Sequence, residues 1–376
     1  FDFALLPIDN YYLSGSKPLA YIEQTNNEII IASGSGNFFF FEKKELDNFN
    51  EPKEKINPNT TETITILESK INLKTINTNL KEIIIGDRIN IDGGVGLRSI
   101  LLHKNDIFIS YIAEDSFNCF KTIVLKANFN FQKLIFKNLL HYDECYKPAE
   151  DIYSSGGKLE SFNERILVSI GDYKKRSVAQ DTNSHFGKIY SIETTNGKLD
   201  LISIGHRNPQ GLFFDKKNNI IVSTEHGPRG GDEININKLN DKKVKNFGWP
   251  ISSYGEHYDG KFREEAPLNK SHENFGFIEP IKYFTPSIAI SDIIKIPISF
   301  DSKFTNDFFI ASMGDNLSEG DLSIHHIRFS NNYDLIIKHN IINIGDRIRD
   351  MIYINDKKTV LLILENSSSL GILKKY

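Results

Sequence analysis

Three stretches of this chain combine glycine, proline and charged residues in a way that plain β-structure does not require. The first is Gly205-His206-Arg207-Asn208-Pro209-Gln210-Gly211. The second is Glu225-His226-Gly227-Pro228-Arg229-Gly230-Gly231-Asp232-Glu233. The third is Phe247-Gly248-Trp249-Pro250 with Ser253-Tyr254-Gly255, which holds the only tryptophan. Glycine lets the backbone come close to a ligand. Carbonyl oxygens exposed beside Pro228 can ligate a hard cation such as Ca²⁺. Arg207 and Asn208 offer planar donors suited to carboxylate or carbonyl oxygens. For any one of these residues a plain loop role is the simpler reading, with Arg207 paired to Asp232 or Glu233. The density of the cluster points to a ligand site.

The elements that must position these loops are short hairpins that recur along the chain. An apolar strand, a polar turn and a β-branched strand occur at 21–32, 101–110, 159–169, 212–223 and 351–362, with a looser copy at 294–310. The turns are rich in Asn, Asp and Lys, and Asn and Asp tolerate left-handed backbone. The strands are rich in Ile, Val and Phe, which fill a pleated surface. Six copies in 376 residues leave about 63 residues each, room for four strands and their loops. No long stretch has a 3.6-residue apolar period. The expectation is an all-β fold: one domain over residues 1–376, a six-bladed β-propeller of four-stranded antiparallel blades. The longer connections around 128–155 and 254–274 should cross one face and help to build the site.

Composition narrows the function classes. Forty-five basic against 49 acidic residues give a net charge of −4, without the basic footprint of a nucleic-acid binder. The longest apolar runs are too short to span a bilayer as a helix. Two cysteines, Cys119 and Cys145, are too few for a disulfide scaffold, and the sequence leaves their pairing open. The chain begins at Phe1 with no leader-like segment, which is expected of a mature chain exported to the periplasm or secreted; a trimmed cytoplasmic chain is the alternative.

The run from Gly205 to Gly255 resembles the soluble pyrroloquinoline quinone (PQQ)-dependent aldose sugar dehydrogenases, the glucose/sorbosone dehydrogenase family. Further stretches agree in the family's order: Gly171-Asp172, Ala179-Gln180-Asp181, Gly187-Lys188-Ile189, Thr285-Pro286-Ser287 and Arg347-Ile348-Arg349-Asp350. The resemblance implies a six-bladed propeller with PQQ over its axial mouth. It implies Ca²⁺ held by backbone carbonyls at Gly227 and Pro228, and Arg207 and Asn208 near the quinone. Arg347 and Arg349 would pair with the cofactor's carboxylates. The implied reaction oxidises the C1 hydroxyl of a sugar to a lactone and passes electrons to an acceptor, with a His base oriented by an Asp at the position of Asp172.

The resemblance breaks at that base. The family's His-x-Gly-Gly-Arg type motif aligns with Ser154-Ser155-Gly156-Gly157-Lys158, so Ser154 stands at the base position. A serine hydroxyl is no base near neutral pH without an activator. A sugar-facing Gln or Glu is replaced at Gly94, and a PQQ-facing lysine near Gly314. Three readings compete: an active dehydrogenase in which Asp172 or its water replaces the His, a degenerate member that binds but turns over poorly, and a non-catalytic propeller binding a ligand or protein. Of the remaining histidines, His206, His226 and His185 are expected as wall or packing residues, and His257 as a solvent-exposed loop residue. His325 and His326 should point to opposite faces of a strand.

Overall fold

The structure, a computed structural model, describes residues 2–7, 19–49, 64–66, 71–83, 96–116, 119–147, 153–241 and 243–375. Six sheets of four or five strands follow one another along the chain. Their innermost strands are Ala20–Gln24, Gly96–His103, Gly156–Phe162, Pro209–Asp215, Ile290–Ile296 and Ile348–Ile354. Each packs against the next, and the last returns to the first. This ring is a six-bladed β-propeller around a central axis. All six hairpins expected from the sequence are the inner hairpins of the blades. Their turns use the left-handed backbone anticipated for them, as at Asn163 (φ +56°) and Asn219 (φ +54°).

The strands read as nearly continuous apolar runs because both faces of each blade are covered. In the first blade Ile29 and Ile31 pack toward Ile352, Ile354 and Leu361 of the last blade. Their neighbours Ile30 and Ala32 pack toward Ile107 and Ile109 of the second. Each fully buried Ile stabilises the ring by about 1.5–3 kcal/mol relative to an exposed one. The ring closes through the backbone. Asp2–Pro7 runs antiparallel to Ser369–Lys374, in register from Asp2 opposite Lys374 to Pro7 opposite Ser369.

Uniform four-stranded antiparallel blades were expected, and three blades depart from this. Lys133–Leu134, Lys245–Asn246 and Ile64–Ile66 each add a short parallel strand to an outer edge. These connecting segments take up backbone groups that an open edge would leave unpaired. Cys119 and Cys145 form a disulfide, with Cα atoms 5.5 Å apart. The bond ties the 128–155 connection to the third strand of the second blade, shortly before that connection enters the site. Among the described residues no helix is long and apolar enough to cross a membrane.

Candidate active site

The N-terminal ends of all six inner strands converge at one end of the axis, and each contributes there to the lining of a cavity of about 690 Å³. Leu19, Arg98, Ser155, Asn208, Ala289 and Arg347 mark the six contributions. Of the eight residues nominated from the sequence, Ser154, Arg207, Asn208, Gly227, Arg347 and Arg349 line this cavity. Asp172 and Pro228 stand behind its wall. Residues separated by almost 200 positions in the chain are thus brought to one place by the propeller's geometry.

Arg347 and Arg349 are alternate residues at the start of the sixth inner strand, so their side chains leave the same face. Both reach Glu365, Arg347 through Nε at 2.9 Å and Arg349 through Nε at 2.5 Å. Burial would raise the Glu365 carboxyl, but the two guanidiniums hold it below its ordinary value. Arg347 also donates to the carbonyl of Met313, and Arg349 lies 3.4 Å from Gln210 Oε1. The arginine pair is therefore held rigidly from behind by a buried carboxylate. Arg207 donates from Nη1 to the carbonyl of His226 at 3.0 Å, and its guanidinium lies over the Trp249 ring at 5.5 Å. It does not pair with Asp232 or Glu233. Asp232 instead accepts from the backbone N–H groups of Gly227, Ile288 and Ile290 and so binds the Gly227 turn to the fifth blade.

Asn208 accepts through Oδ1 from Gly156 N at 3.0 Å and from Gln210 Nε2 at 2.9 Å. Both bonds use its oxygen, which leaves its amide nitrogen for a ligand. Ser154 is buried in the wall with φ +58°. Its carbonyl accepts from Tyr173 N at 3.0 Å, and a Cβ on Gly171 would come within 1.9 Å of that oxygen. Gly171 is thus required for the close approach that fixes Ser154.

Asp172 is almost fully buried beneath Arg207. Its Oδ2 accepts from Trp249 Nε1 at 2.7 Å and its Oδ1 from Lys174 N at 2.9 Å. Burial raises its carboxyl to about 6, against the pull of Arg207. Pro228 is buried outside the cavity, with its carbonyl 3.4 Å from Ser287 Oγ. At Gly314 a Cβ would fall 2.0 Å from the Asp321 carboxylate, so no side chain fits there. Gly94 lies outside the described residues.

Other cavity residues were not nominated from the sequence. Arg98, Lys174, Gln210, Tyr153, Tyr258 and Glu365 join the lining, and His226, expected as a wall residue, lines it with burial lowering its imidazole to about 4. Five cationic side chains then face two carboxylates in the wall. A signal for Arg98 existed: it is a lone cation in the apolar strand Gly96–His103. His257, expected to be exposed, is buried, with Nε2 donating to the Ala266 carbonyl at 2.8 Å. His325 and His326 do point to opposite faces, the first to His339 and the second to Asp307.

The sequence pattern of the Glucose / Sorbosone dehydrogenase family matches residues 55–374. The chain belongs to that family. An uncharacterised Synechocystis protein is 28% identical over 274 residues, 66% of this chain and 62% of its own length. An Escherichia coli aldose sugar dehydrogenase is 29% identical over 163 residues, 40% of this chain and 42% of its own length. The match thus spans less than two thirds of either curated relative. Among solved structures, the PQQ-bound aldose sugar dehydrogenase of Streptomyces coelicolor superposes with a TM-score of 0.63 at 15% identity, covering 99% of this chain and 93% of that one. That likeness is one of fold.

Proposed function

We propose that this chain is a PQQ-dependent sugar dehydrogenase of reduced catalytic power, oxidising the C1 hydroxyl of an aldose to a lactone. The observation that carries the reading is the convergence of Arg207, Asn208, Gly227, Arg347 and Arg349 on one axial cavity. Its volume, about 690 Å³, lies within the range of small-molecule sites. Its excess of cations over carboxylates suits a flat tricarboxylate. The name of the Streptomyces coelicolor structure supports PQQ as the group. Arg347 and Arg349 would hold its carboxylates, Arg207 and Asn208 its quinone region, and the Gly227 carbonyl a Ca²⁺, which the Pro228 carbonyl, outside the cavity beside Ser287 Oγ, would join only by turning inward. When bound, PQQ supplies a quinone that accepts hydride, made more electrophilic by Ca²⁺.

The chain's own residues then bind and orient the sugar. Ser154 hydrogen-bonds the C1 hydroxyl but does not take its proton. Asp172 is committed to Trp249 and Lys174 behind the wall, so water is left to receive that proton. The missing base should lower the rate by roughly 10²–10⁴. The Cys119–Cys145 disulfide supports an oxidising compartment, the periplasm or the exterior. There an external electron acceptor would reoxidise the site, and one domain would carry the whole function.

The position of Asp172 favours one further reading, a degenerate propeller that binds a ligand or protein without turnover. Melting temperature and dye reduction with aldoses, recorded with PQQ and Ca²⁺, separate the two. A raised melting temperature with aldose-dependent dye reduction supports the dehydrogenase. A raised melting temperature without reduction supports the binder. No response in either refutes the cofactor assignment.

A further inference from the structure

The lining of the cavity divides into less exposed and solvent-open residues of different chemistry. Its less exposed lining carries the polar groups, beside the apolar Leu19, Ala289 and Met313: the Arg347 and Arg349 side chains are 20% and 14% exposed, and Ser154 and Asn208 are buried. Two other lining residues are large, aromatic and open to solvent, Tyr258 at 71% and Tyr153 at 47% exposure. Tyr258 comes from the long connection between the fourth blade's third and fourth strands, and Tyr153 from the segment that precedes Ser154. Lys174, a third lining residue, places its ammonium 4.1 Å from the centre of the Tyr153 ring.

Lys174 is presented by a strained turn. Tyr173 and Lys174 have φ of +51° and +64°, a conformation uncommon for side-chain-bearing residues. Two contacts hold the turn: Tyr173 N donates to the Ser154 carbonyl at 3.0 Å, and Lys174 N donates to Asp172 Oδ1 at 2.9 Å. Strain of this kind persists where the surroundings over-determine it, and it concentrates at ligand sites. The same contacts couple Lys174 to Ser154, so the reacting position and the ammonium are set by one small rigid unit.

We propose that Tyr258, Tyr153 and Lys174 form the sugar subsite at the mouth of the cavity, and that Tyr258 is the platform that binds the aldose ring. A pyranose has an apolar C–H face and a polar hydroxyl rim. A tyrosine ring offers an apolar face with a hydroxyl at its edge, and an ammonium donates hydrogen bonds to hydroxyl oxygens. The Lys174 ammonium already covers one side of the Tyr153 ring, in the manner of a cation–π pair, so the open ring of Tyr258 is the surface left for the sugar. The subsite selects for a ring with an unobstructed C–H face and leaves the guanidiniums to the anionic cofactor. This inference rests on the reading of the cavity as a sugar-oxidising site.

Tyr258→Ala and Tyr258→Phe test it in the full chain loaded with PQQ and Ca²⁺. Tyr258 is exposed on a loop, so both variants should fold. For Tyr258→Ala the KM for D-glucose should rise roughly 3- to 10-fold, the size of one lost aromatic contact, with kcat little changed. Tyr258→Phe should stay near wild type, and PQQ affinity, read from Trp249 fluorescence, should be the same in all three proteins. An unchanged KM in Tyr258→Ala, or a loss of PQQ affinity in parallel with it, overturns the proposal. Saturation transfer from protein to glucose protons reads the subsite without turnover. Transfer in wild type that is lost in Tyr258→Ala supports it; no transfer in wild type, or transfer intact in Tyr258→Ala, overturns it. A chain that binds glucose this way yet never responds to PQQ refutes the cofactor reading alone.

Discussion

Below the cavity, the propeller axis carries an unusual column of charge, and its pH response can be worked out. Lys158 forms ion pairs with Asp292 at 2.7 Å and with Asp350 at 2.8 Å. Glu23 and Glu160 stand in the same column, and Glu160 is the sharpest test. Burial raises its carboxyl from 4.5 to about 8; Glu23 and Asp292 add to the rise, while Lys158 and a hydrogen bond from the Phe214 backbone oppose it. Near pH 4.5 the folded and unfolded chains both hold the proton, and the effect is small. As the pH climbs toward 8 the unfolded chain releases its proton while the folded chain keeps it, so stability falls. At about 1.36 kcal/mol for each pH unit between the unfolded and folded titration midpoints, the ceiling is about 5 kcal/mol. Glu160 keeps some contact with water, so about 2–3 kcal/mol is the expected size. Glu160→Gln keeps the shape and the acceptor for Phe214 N while removing the titration. Urea unfolding at pH 4.5 and pH 8 should show near-equal stability at the first and a variant more stable by about 2–3 kcal/mol at the second. Equal stabilities at pH 8, or a less stable variant there, would refute the reasoning.

Other consequences can be checked as directly. Ser154→His should raise aldose-dependent dye reduction by roughly 10²–10⁴; no gain in a variant that still binds PQQ would show the sugar side to be dismantled as well. Gly171→Ala drives a methyl group into the Ser154 carbonyl, where only 1.9 Å is available. It should lower the melting temperature and weaken PQQ binding, and wild-type behaviour would contradict the close approach. Arg349→Ala leaves the buried Glu365 with one guanidinium in place of two, and should destabilise the chain by about 3 kcal/mol in urea unfolding. Arg349→Ala with Glu365→Gln should recover much of that stability without restoring PQQ affinity. Reducing the Cys119–Cys145 bond, which joins residues 26 apart, should lower stability by about 3.5 kcal/mol by the loop-closure relation.

The architecture was legible because its cause is local. Each blade needs a tight hairpin and strands apolar on both faces, and both leave a mark of a dozen residues, as at 212–223. The extra parallel strands were not, since Lys245–Asn246 joins the third blade only because the ring brings it there. Around the cavity, the glycine-rich turns and arginines were visible because such residues are unusual in plain β-structure. Lys174 and Tyr258 were not, since nothing in their neighbours marks them until a strained turn or a long loop delivers them to the cavity. His257 was misread for the opposite reason. A loop position suggests exposure, yet Leu268 packs this loop against Trp249 and Ala179, and the Ala266 carbonyl takes the imidazole's hydrogen bond. The axial carboxylates could have been noticed as charges interrupting otherwise apolar strands, such as Glu160 in Gly156–Phe162.

The central claim is that the axial cavity binds PQQ through its guanidiniums and a Ca²⁺ at the Gly227 turn. Trp249, the sole tryptophan, lies under Arg207 and reports on that site. Titration of the chain with PQQ in the presence of Ca²⁺ should quench its fluorescence to saturation at one PQQ per chain, and removal of Ca²⁺ with a chelator should weaken that binding. Quenching that never saturates, or that is the same in wild type and in a variant carrying Arg207→Gln and Arg347→Gln, would contradict the claim.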